Sequence, residues 1–228
     1  MKTLEIVLLF LILLFPMVDL VIEKFNFNNK NKESIKTILM LWSVTGFLFF
    51  SFFQGALSVK YSPIFPVTGW KAYLSISIFI ALCIYIRYII SSIHKNKEVR
   101  AHILERFKEE DSVNEMLPDS RNEFLLFILL SVSAGICEEL IYRWYLYNFI
   151  ELQTNWMIAV IVSSFIFGIA HIYLGWRHVF KTSLIGVLLC GTYLFFESIA
   201  VAIIIHILIN VYSGTISYYA KKYDKPKP

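Results

Sequence analysis

Apolar residues along this chain fall into seven long runs separated by short polar connections. Each run has about the 20 residues that an α-helix needs to cross the hydrocarbon core of a bilayer. The pattern therefore predicts seven membrane-spanning helices, at residues 4–22, 35–57, 73–93, 124–150, 156–174, 179–196 and 199–219. The first run is long for a signal peptide and no small-x-small cleavage site follows it, so we expect it to remain as a span.

The composition agrees with an integral membrane protein and excludes an ordinary soluble domain. Of the 228 residues, 57% are hydrophobic and 17% are charged, and the mean hydropathy is +0.64. The expected fold class is all-α, a single polytopic transmembrane helix bundle, because no Pro-, Gly- or Ser-rich linker divides the chain. Cys83, Cys137 and Cys190 lie in apolar runs without disulfide or zinc-motif spacing, so they are expected to be small buried hydrophobic residues.

Lysine and arginine are concentrated in every second connection: after the first, third and fifth runs, and in the tail. By the positive-inside rule we expect the N-terminus outside and the C-terminus in the cytoplasm of a plasma-membrane protein. Apolar residues at helical spacing among charges at 94–120 predict an amphipathic helix on the lipid headgroups. The chain is thus divided into the first three spans with this connector (1–120), a helix bundle (121–219) and a basic tail (220–228).

Ionisable residues inside the predicted spans separate into two groups. Asp19, Arg87 and Glu197 lie near span ends, where a side chain can reach the interface, so they need no functional explanation. A charged group deep in a span costs roughly 3 kcal/mol on insertion scales and usually marks a site inside the bundle. Six polar residues lie at such depth, in three clusters with helical spacing: Glu138, Glu139, Arg143, His171, His206 and Asn210.

The stretch CEELIYR places two adjacent carboxylates and an arginine on one helix. Glu139 and Arg143 are four residues apart and share a helix face, so we expect them to form an ion pair. Glu138 is rotated about 100° from Glu139 around the same helix and has no such partner. The spacing therefore predicts that Glu138 is the general acid or base of a site and that Glu139 is its ionised neighbour.

Two further pairs lie one helical turn apart. In FGIAH, Phe167 is expected to shape the wall of a pocket into which His171 projects; in HILIN, His206 and Asn210 can act on one bound group, the amide as a donor to an oxyanion. Taken singly, each histidine is explained by an interhelical hydrogen bond. The short connection between the fourth and fifth spans puts Glu138 and His171 at similar depth, and this coincidence favours a site.

The three motifs EELIYR, FGIAH and HILIN, in this order, resemble the pattern of the CAAX-protease and bacteriocin-processing family of intramembrane proteases, the type II CAAX endopeptidases and their bacterial relatives. The resemblance covers roughly residues 121–219. Members of this family usually have about eight spans, so seven to eight are expected. Many members also have Gly directly after the motif arginine, where this chain has Trp144, a departure that affects helix packing rather than the catalytic set.

The resemblance implies a role for each matching position. Glu138 is similar to the residue that activates a water molecule, with Glu139 and Arg143 beside it as its orienting pair. His206 and Asn210 are similar to the pair that stabilises the tetrahedral oxyanion. Direct attack by water on the peptide bond is the mechanism that these residues favour, since they require no nucleophilic side chain.

His171 is similar to the family's first catalytic histidine and Phe167 to the aromatic residue that precedes it, and Phe167 and Tyr142 are expected to contact the substrate. The expected activity is that of an intramembrane endopeptidase, of glutamate or metallo type. Its expected partners are the lipid bilayer and a membrane-associated substrate, either a lipidated protein or a leader-bearing peptide. No nucleic-acid partner is expected, and the oligomeric state is left open.

The need for a cofactor is left open. Glu138, His171 and His206 could hold one zinc ion with an open position, although the metal-free form is favoured because few groups are available to orient the imidazoles. The chain has no HExxH or GxSxG motif and no pair of aspartates within its spans, which excludes the other common protease classes. Two non-protease interpretations remain: a catalytically silent membrane scaffold of the same fold, and a proton-coupled transporter.

Overall fold

The computed structural model describes residues 2–23, 30–108 and 116–224. Over these residues the chain is helical and contains no strand, so the all-α helix bundle predicted from the sequence is confirmed. The helices are α1 (Thr3–Glu23), α2 (Lys30–Phe53), α3 (Trp70–Lys95), α4 (Lys97–Lys108), α5 (Arg121–Glu151), α6 (Trp156–Ile169), α7 (Trp176–Phe196) and α8 (Ile199–Asp224).

A helix corresponds to each of the seven apolar runs, but the helices differ in length. Five of the described helices, α2, α3, α5, α7 and α8, are long and apolar enough to cross a membrane. The apolar part described for α1, Thr3–Leu14, is shorter, as is α6. The five long helices make this an integral membrane protein, while the count of seven to eight spans stays a prediction.

The predicted fifth span, 156–174, ends earlier than its hydropathy indicates. Helix α6 stops at Ile169, a 3₁₀ turn covers Ile172–Leu174, and Gly175 adopts a φ of 92° that L-residues rarely adopt. The expectation that His171 lies inside a helix is therefore wrong, because the backbone turns between Ala170 and Gly175 before α7 begins.

The chain between 94 and 120 also differs from its predicted form. Residues 97–108 form α4, and 109–115 lie outside the described residues, so a single helix over 94–120 is confirmed only in its first half. Ser120 caps α5, since its side chain accepts a hydrogen bond from the Glu123 backbone N at 3.3 Å. Helix α8 runs past the predicted boundary at 219 to Asp224, and 225–228 are not among the described residues.

Helices of the second half pack closely through small residues. A Cβ added at Gly168 would lie 2.7 Å from the Val179 carbonyl oxygen, and one at Gly135 would lie 2.4 Å from Ile207 Cγ1. Glycine at these positions therefore lets α6 approach α7, and α5 approach α8, at the level of the polar residues. Helix α2 packs against α5, and α3 and α4 pack against α8.

The connection between α2 and α3, residues 54–69, joins three other parts of the bundle. Ser58 donates to the buried carboxylate of Glu5 on α1 from both its backbone N (2.6 Å) and its hydroxyl (2.7 Å). The Tyr61 carbonyl accepts a hydrogen bond from Trp144 Nε1 on α5 at 3.1 Å. The Ile64 carbonyl accepts one from the backbone N of Ile199 on α8 at 2.8 Å. This connection therefore ties α1, α5 and α8 together at one end.

Charged residues join the helices at the opposite end. Asp119 accepts hydrogen bonds from Lys30 at the start of α2 and from Lys221 near the end of α8, the latter at 2.6 Å. Partial burial would raise the pKa of the Asp119 carboxyl, but the two lysines outweigh it and hold that pKa below its ordinary value. Residues from two connections and from the basic C-terminal end, all predicted on one side of the membrane, thus meet at the same end of the bundle.

Candidate active site

Helix α5 changes its winding where the polar residues begin. It is α-helical over Arg121–Glu139, π-helical over Leu140–Tyr147, and α-helical again over Asn148–Glu151. All eight residues of the π-helix are buried. A π-helical turn inside an α-helix is uncommon and often occurs at functional sites. In this chain it lies immediately after the two glutamates and contains Arg143.

The Glu139 carboxylate contacts two side chains at once, the Arg143 guanidinium and the His206 imidazole. Its Oε1 is 3.0 Å from Arg143 Nη1 on the same helix and 2.8 Å from His206 Nδ1 on α8. The Glu139 side chain is fully buried, and those of Arg143 and His206 are 1% and 5% exposed. The predicted ion pair between Glu139 and Arg143 is present. Because a carboxylate only accepts, His206 Nδ1 carries a proton and donates it to Glu139.

Glu138 has a different environment from its neighbour. Its Oε2 is 3.6 Å from His206 Nε2, which is longer than a hydrogen bond, and 13% of its side chain is exposed. The two ring nitrogens of His206 thus face the two adjacent carboxylates: Nδ1 is hydrogen-bonded to Glu139, and Nε2 faces Glu138 without a hydrogen bond. Glu138 is therefore the less constrained carboxylate, as the helical spacing predicts.

The Phe167 ring is surrounded by side chains of the site. Its ring centroid lies 5.2 Å from those of Tyr142 and His171 and 5.8 Å from that of His206, in edge-on arrangements. The Arg143 guanidinium lies 4.2 Å from the same centroid, within the range of a cation–π contact. Phe167 is itself only 1% exposed. The structure places this ring behind the wall of the site, where it fixes the surrounding side chains.

His171 lies just beyond the end of α6 and is oriented by the last turn of that helix. Its backbone N donates to Gly168 O at 3.0 Å, and its Nδ1 is 3.1 Å from Phe167 O. Since a carbonyl oxygen only accepts, Nδ1 carries the proton in this contact, and Nε2 of the neutral ring is left with its lone pair. His171 is thus prepared to accept a proton or a hydrogen bond through Nε2.

Glu138 and His171 open onto the same cavity. Tyr142 and Tyr173 are the other ring-bearing residues of its lining, and the rest of the lining is Ile12, Thr37, Leu41, Val44, Ile141 and Ala170. The structure therefore brings together residues that lie 33 positions apart in the sequence and that were expected at similar depth. Of the two residues expected to contact substrate, Tyr142 is on this lining and Phe167 is not.

Asn210 lies one turn after His206 on α8 and is partly buried. Within the described part of the chain it makes no side-chain hydrogen bond, and it is not on the cavity lining given above. Its role as an oxyanion donor stays a prediction.

The three residues considered as zinc ligands do not converge. Among the described residues, no group of three His, Cys, Asp or Glu side chains is arranged to hold a metal ion. Glu138 and His171 line the cavity, whereas His206 lies behind it with Nδ1 bonded to Glu139. This arrangement does not fit the set of three protein ligands that a catalytic zinc site requires.

Several contacts in the site were not found from the sequence. Asn148, at the end of the π-helix, donates from Nδ2 to the Trp144 carbonyl at 2.5 Å and accepts from the Tyr61 hydroxyl at 2.5 Å. Arg143 Nη2 donates to Gly186 O on α7 at 3.4 Å. The sequence does show an amide, Asn148, within an apolar run five residues after the motif arginine. The contacts with Tyr61 and Gly186, in contrast, depend on long-range packing.

Trp144, the residue directly after the motif arginine, is fully buried. Its ring lies 5.4 Å from that of Phe49 and 5.3 Å from that of Phe52, both on α2. The indole therefore fills the contact between α5 and α2.

Comparison with known proteins identifies the part of the chain that carries this site. No curated protein and no solved structure shows a match to the chain. A family model described as type II CAAX prenyl endopeptidase, Rce1-like, matches residues 120–212, which include both glutamates and both histidines of the site. The resemblance drawn from the three motifs is confirmed over these residues. The segment 120–212, which carries the site, is therefore similar to the Rce1-like type II CAAX prenyl endopeptidases.

Proposed function

We propose that this protein is an intramembrane endopeptidase in which Glu138 activates a water molecule that attacks a peptide bond. The family match supports endopeptidase activity in general terms. The observation that carries the specific proposal is the difference between the surroundings of the two glutamates. Glu139 is held by Arg143 and His206, while Glu138 faces the cavity together with His171.

The first step uses the two groups that share the cavity. A water molecule between Glu138 and His171 donates one proton to the Glu138 carboxylate and its other hydrogen bond to His171 Nε2. The water oxygen bonds to the carbonyl carbon, and the carbonyl π electrons move to the oxygen to give a tetrahedral oxyanion. Glu138 then donates the same proton to the amide nitrogen as the C–N bond breaks, which yields a carboxylic acid and an amine.

His206 and Asn210 supply the charge stabilisation in this proposal. With His206 protonated on both nitrogens, the cluster of Glu138, Glu139, Arg143 and His206 has two negative and two positive charges, which suits a buried position. When Glu138 accepts the proton from water, its attraction for the Nε2 proton of His206 falls. That N–H, whose direction is set by the bond of Nδ1 to Glu139, is then available to donate to the oxyanion, with the Asn210 amide as a second donor.

The substrate class follows from the family and from the location of the site. A peptide attached to the membrane, such as the prenylated C-terminal segment of a protein, reaches a cavity between helices without leaving the bilayer surface. We also propose a plasma-membrane location with the N-terminus outside. The meeting of Lys30, Asp119 and Lys221 at one end supports this topology, because all three lie in segments expected on the cytoplasmic side.

The test is cleavage of S-farnesylated peptides by the purified chain in proteoliposomes, with the products identified by mass spectrometry. Glu138→Gln keeps the side-chain shape and removes the base, so cleavage should fall by about 10²–10⁴-fold while thermal unfolding stays near that of the wild type. Glu98→Gln, on the exposed face of α4, is the matched control and should cleave normally. Full activity in Glu138→Gln would exclude Glu138 as the base.

A further inference from the structure

One side of the cavity is built by helices outside the family match. Glu138, Tyr142, His171 and Tyr173 come from residues 120–212. The facing side comes from α1 and α2 and consists of Ile12, Thr37, Leu41 and Val44, here called the α1–α2 wall. The polar groups of the proposed reaction and this wall thus face each other across the space that a substrate would occupy.

The α2 part of the wall is one face of a helix. Thr37, Leu41 and Val44 are spaced four and three residues apart, so their side chains point the same way. Leu39 lies on a different face of the same helix and is 63% exposed. The stripe is therefore directed at the cavity, while Leu39 faces outward.

The wall presents carbon atoms and no charge. Ile12, Leu41 and Val44 are aliphatic, and the Thr37 hydroxyl donates to Glu33 O on its own helix at 3.0 Å. A charged or strongly polar group placed against this wall would lose its water without gaining a partner. An apolar side chain would gain contact area instead.

The wall is also fixed in place. Ile12 is seven residues from Glu5, on the same face of α1, and Glu5 is buried with both carboxylate oxygens bonded to Ser58. Leu41 packs with Ala134 and Cys137 of α5, directly before the two glutamates. The distance between the wall and Glu138 is therefore set by packing, so the wall can discriminate side chains by size.

We infer that the α1–α2 wall is a specificity pocket for one apolar side chain beside the scissile bond, with Val44 and Thr37 as the residues that set its size. This inference rests on the proposed peptidase function. Removing or adding a methylene-sized group in an apolar pocket changes discrimination by about 10–200-fold. The residues that choose the substrate thus lie in a different part of the chain from those that cut it.

The test uses farnesylated peptides in proteoliposomes, varied at each position near the cut among Ala, Val, Leu, Phe and Lys. Val44→Ala should raise, and Val44→Phe should lower, the ratio of Phe to Ala cleavage by about tenfold or more at one position only. Leu39→Ala, on the outward face, should leave every ratio unchanged. The wild type should cleave the Lys peptide most slowly at that position.

The outcomes separate this inference from the proposed function. Normal cleavage with unchanged ratios in both Val44 variants would overturn the pocket and leave the peptidase intact. Absence of cleavage of every peptide by the folded wild type would overturn the peptidase itself. Thr37→Val, which keeps the shape and removes the hydroxyl, provides a second variant should Val44→Phe fold poorly. It should leave the dependence on side-chain size unchanged and raise cleavage of the apolar peptides relative to the Lys peptide, and a relative rise for the Lys peptide would contradict an apolar wall.

Discussion

Glu139 and His206 are joined at 2.8 Å between helices α5 and α8, and the same Glu139 oxygen also contacts Arg143 at 3.0 Å. The Glu139 carboxylate thus couples the motif arginine to a histidine that lies 67 residues after Glu139 in the chain. The contact places an Nδ1 proton of His206 towards Glu139 and leaves its Nε2 facing Glu138. The proposed acid–base chemistry of Glu138 therefore depends on a group that never reaches the cavity.

Arg143→Ala should lower both turnover and stability. Removing one partner of a buried ion pair leaves an uncompensated charge and costs about 3–5 kcal/mol. Thermal unfolding in detergent, together with the yield of folded protein, measures the loss. Arg87→Ala, at an exposed position of α3, is the matched control and should unfold near the wild-type temperature. An Arg143→Ala protein that folds normally but does not turn over would instead place Arg143 in contact with substrate.

Chelation of metal ions should leave the cleavage rate unchanged. The reason is geometric, since Glu138 and His171 share the cavity while His206 is bonded to Glu139 behind it. Cleavage is measured with and without a strong chelator, and the purified protein is analysed for its elements. One zinc ion per chain in active protein, absent from His171→Ala, would contradict this prediction and would require the three residues to converge in the active state.

Asn148 variants should separate positioning of the π-helix from simple folding. The amide donates to the Trp144 carbonyl, and the side-chain oxygen accepts from Tyr61. Asn148→Asp keeps the acceptor and loses the donors, so it should lower kcat with little change in KM, because Arg143 and Glu139 are held less well. An unsatisfied buried group costs about 1–3 kcal/mol and a charged one costs more, so the loss of stability should be at least of this size.

The control for Asn148 is Tyr147→Phe, since the Tyr147 hydroxyl bonds Glu151 at 2.9 Å and not the π-helix carbonyls. Its kcat should stay at the wild-type value. Tyr61→Phe removes the other partner and should give a smaller decrease in kcat than Asn148→Asp. A parallel rise in KM across these variants would assign them to substrate binding rather than positioning.

Local spacing in the sequence was sufficient for some of these relationships. The ion pair of Glu139 with Arg143 follows from four-residue spacing, and it survives the π-helical winding that begins at Leu140. The different environments of Glu138 and Glu139 follow from their rotation around one helix. These predictions succeeded because a helix fixes the relative direction of residues that are close in sequence.

Other relationships depend on packing that no local pattern encodes. Hydropathy continued through His171, but α6 ends at Ile169, because an apolar turn and an apolar helix give the same signal. Span boundaries placed His206 nearer the outer end of its helix than His171, yet the two flank the same Phe167 ring. The α1–α2 wall could not be assigned because its members acquire a role only when α1 and α2 pack against α5.

The connection at 54–69 has a consequence for the order in which the bundle assembles during synthesis. Glu5 is synthesised early, and its partner Ser58 follows 53 residues later. Asn148, the partner of Tyr61, follows Tyr61 by 87 residues. A nascent chain that ends before α5 can therefore form the contact between Glu5 and Ser58, but it lacks the partners that Tyr61 and Ile64 of the same loop have in the complete bundle. Insertion of α5 supplies the Trp144 and Asn148 partners of that loop, whereas the bond from Ile199 forms only after α8 is made. Because the site also needs His206 of α8, the loop and the site are completed by the same helix.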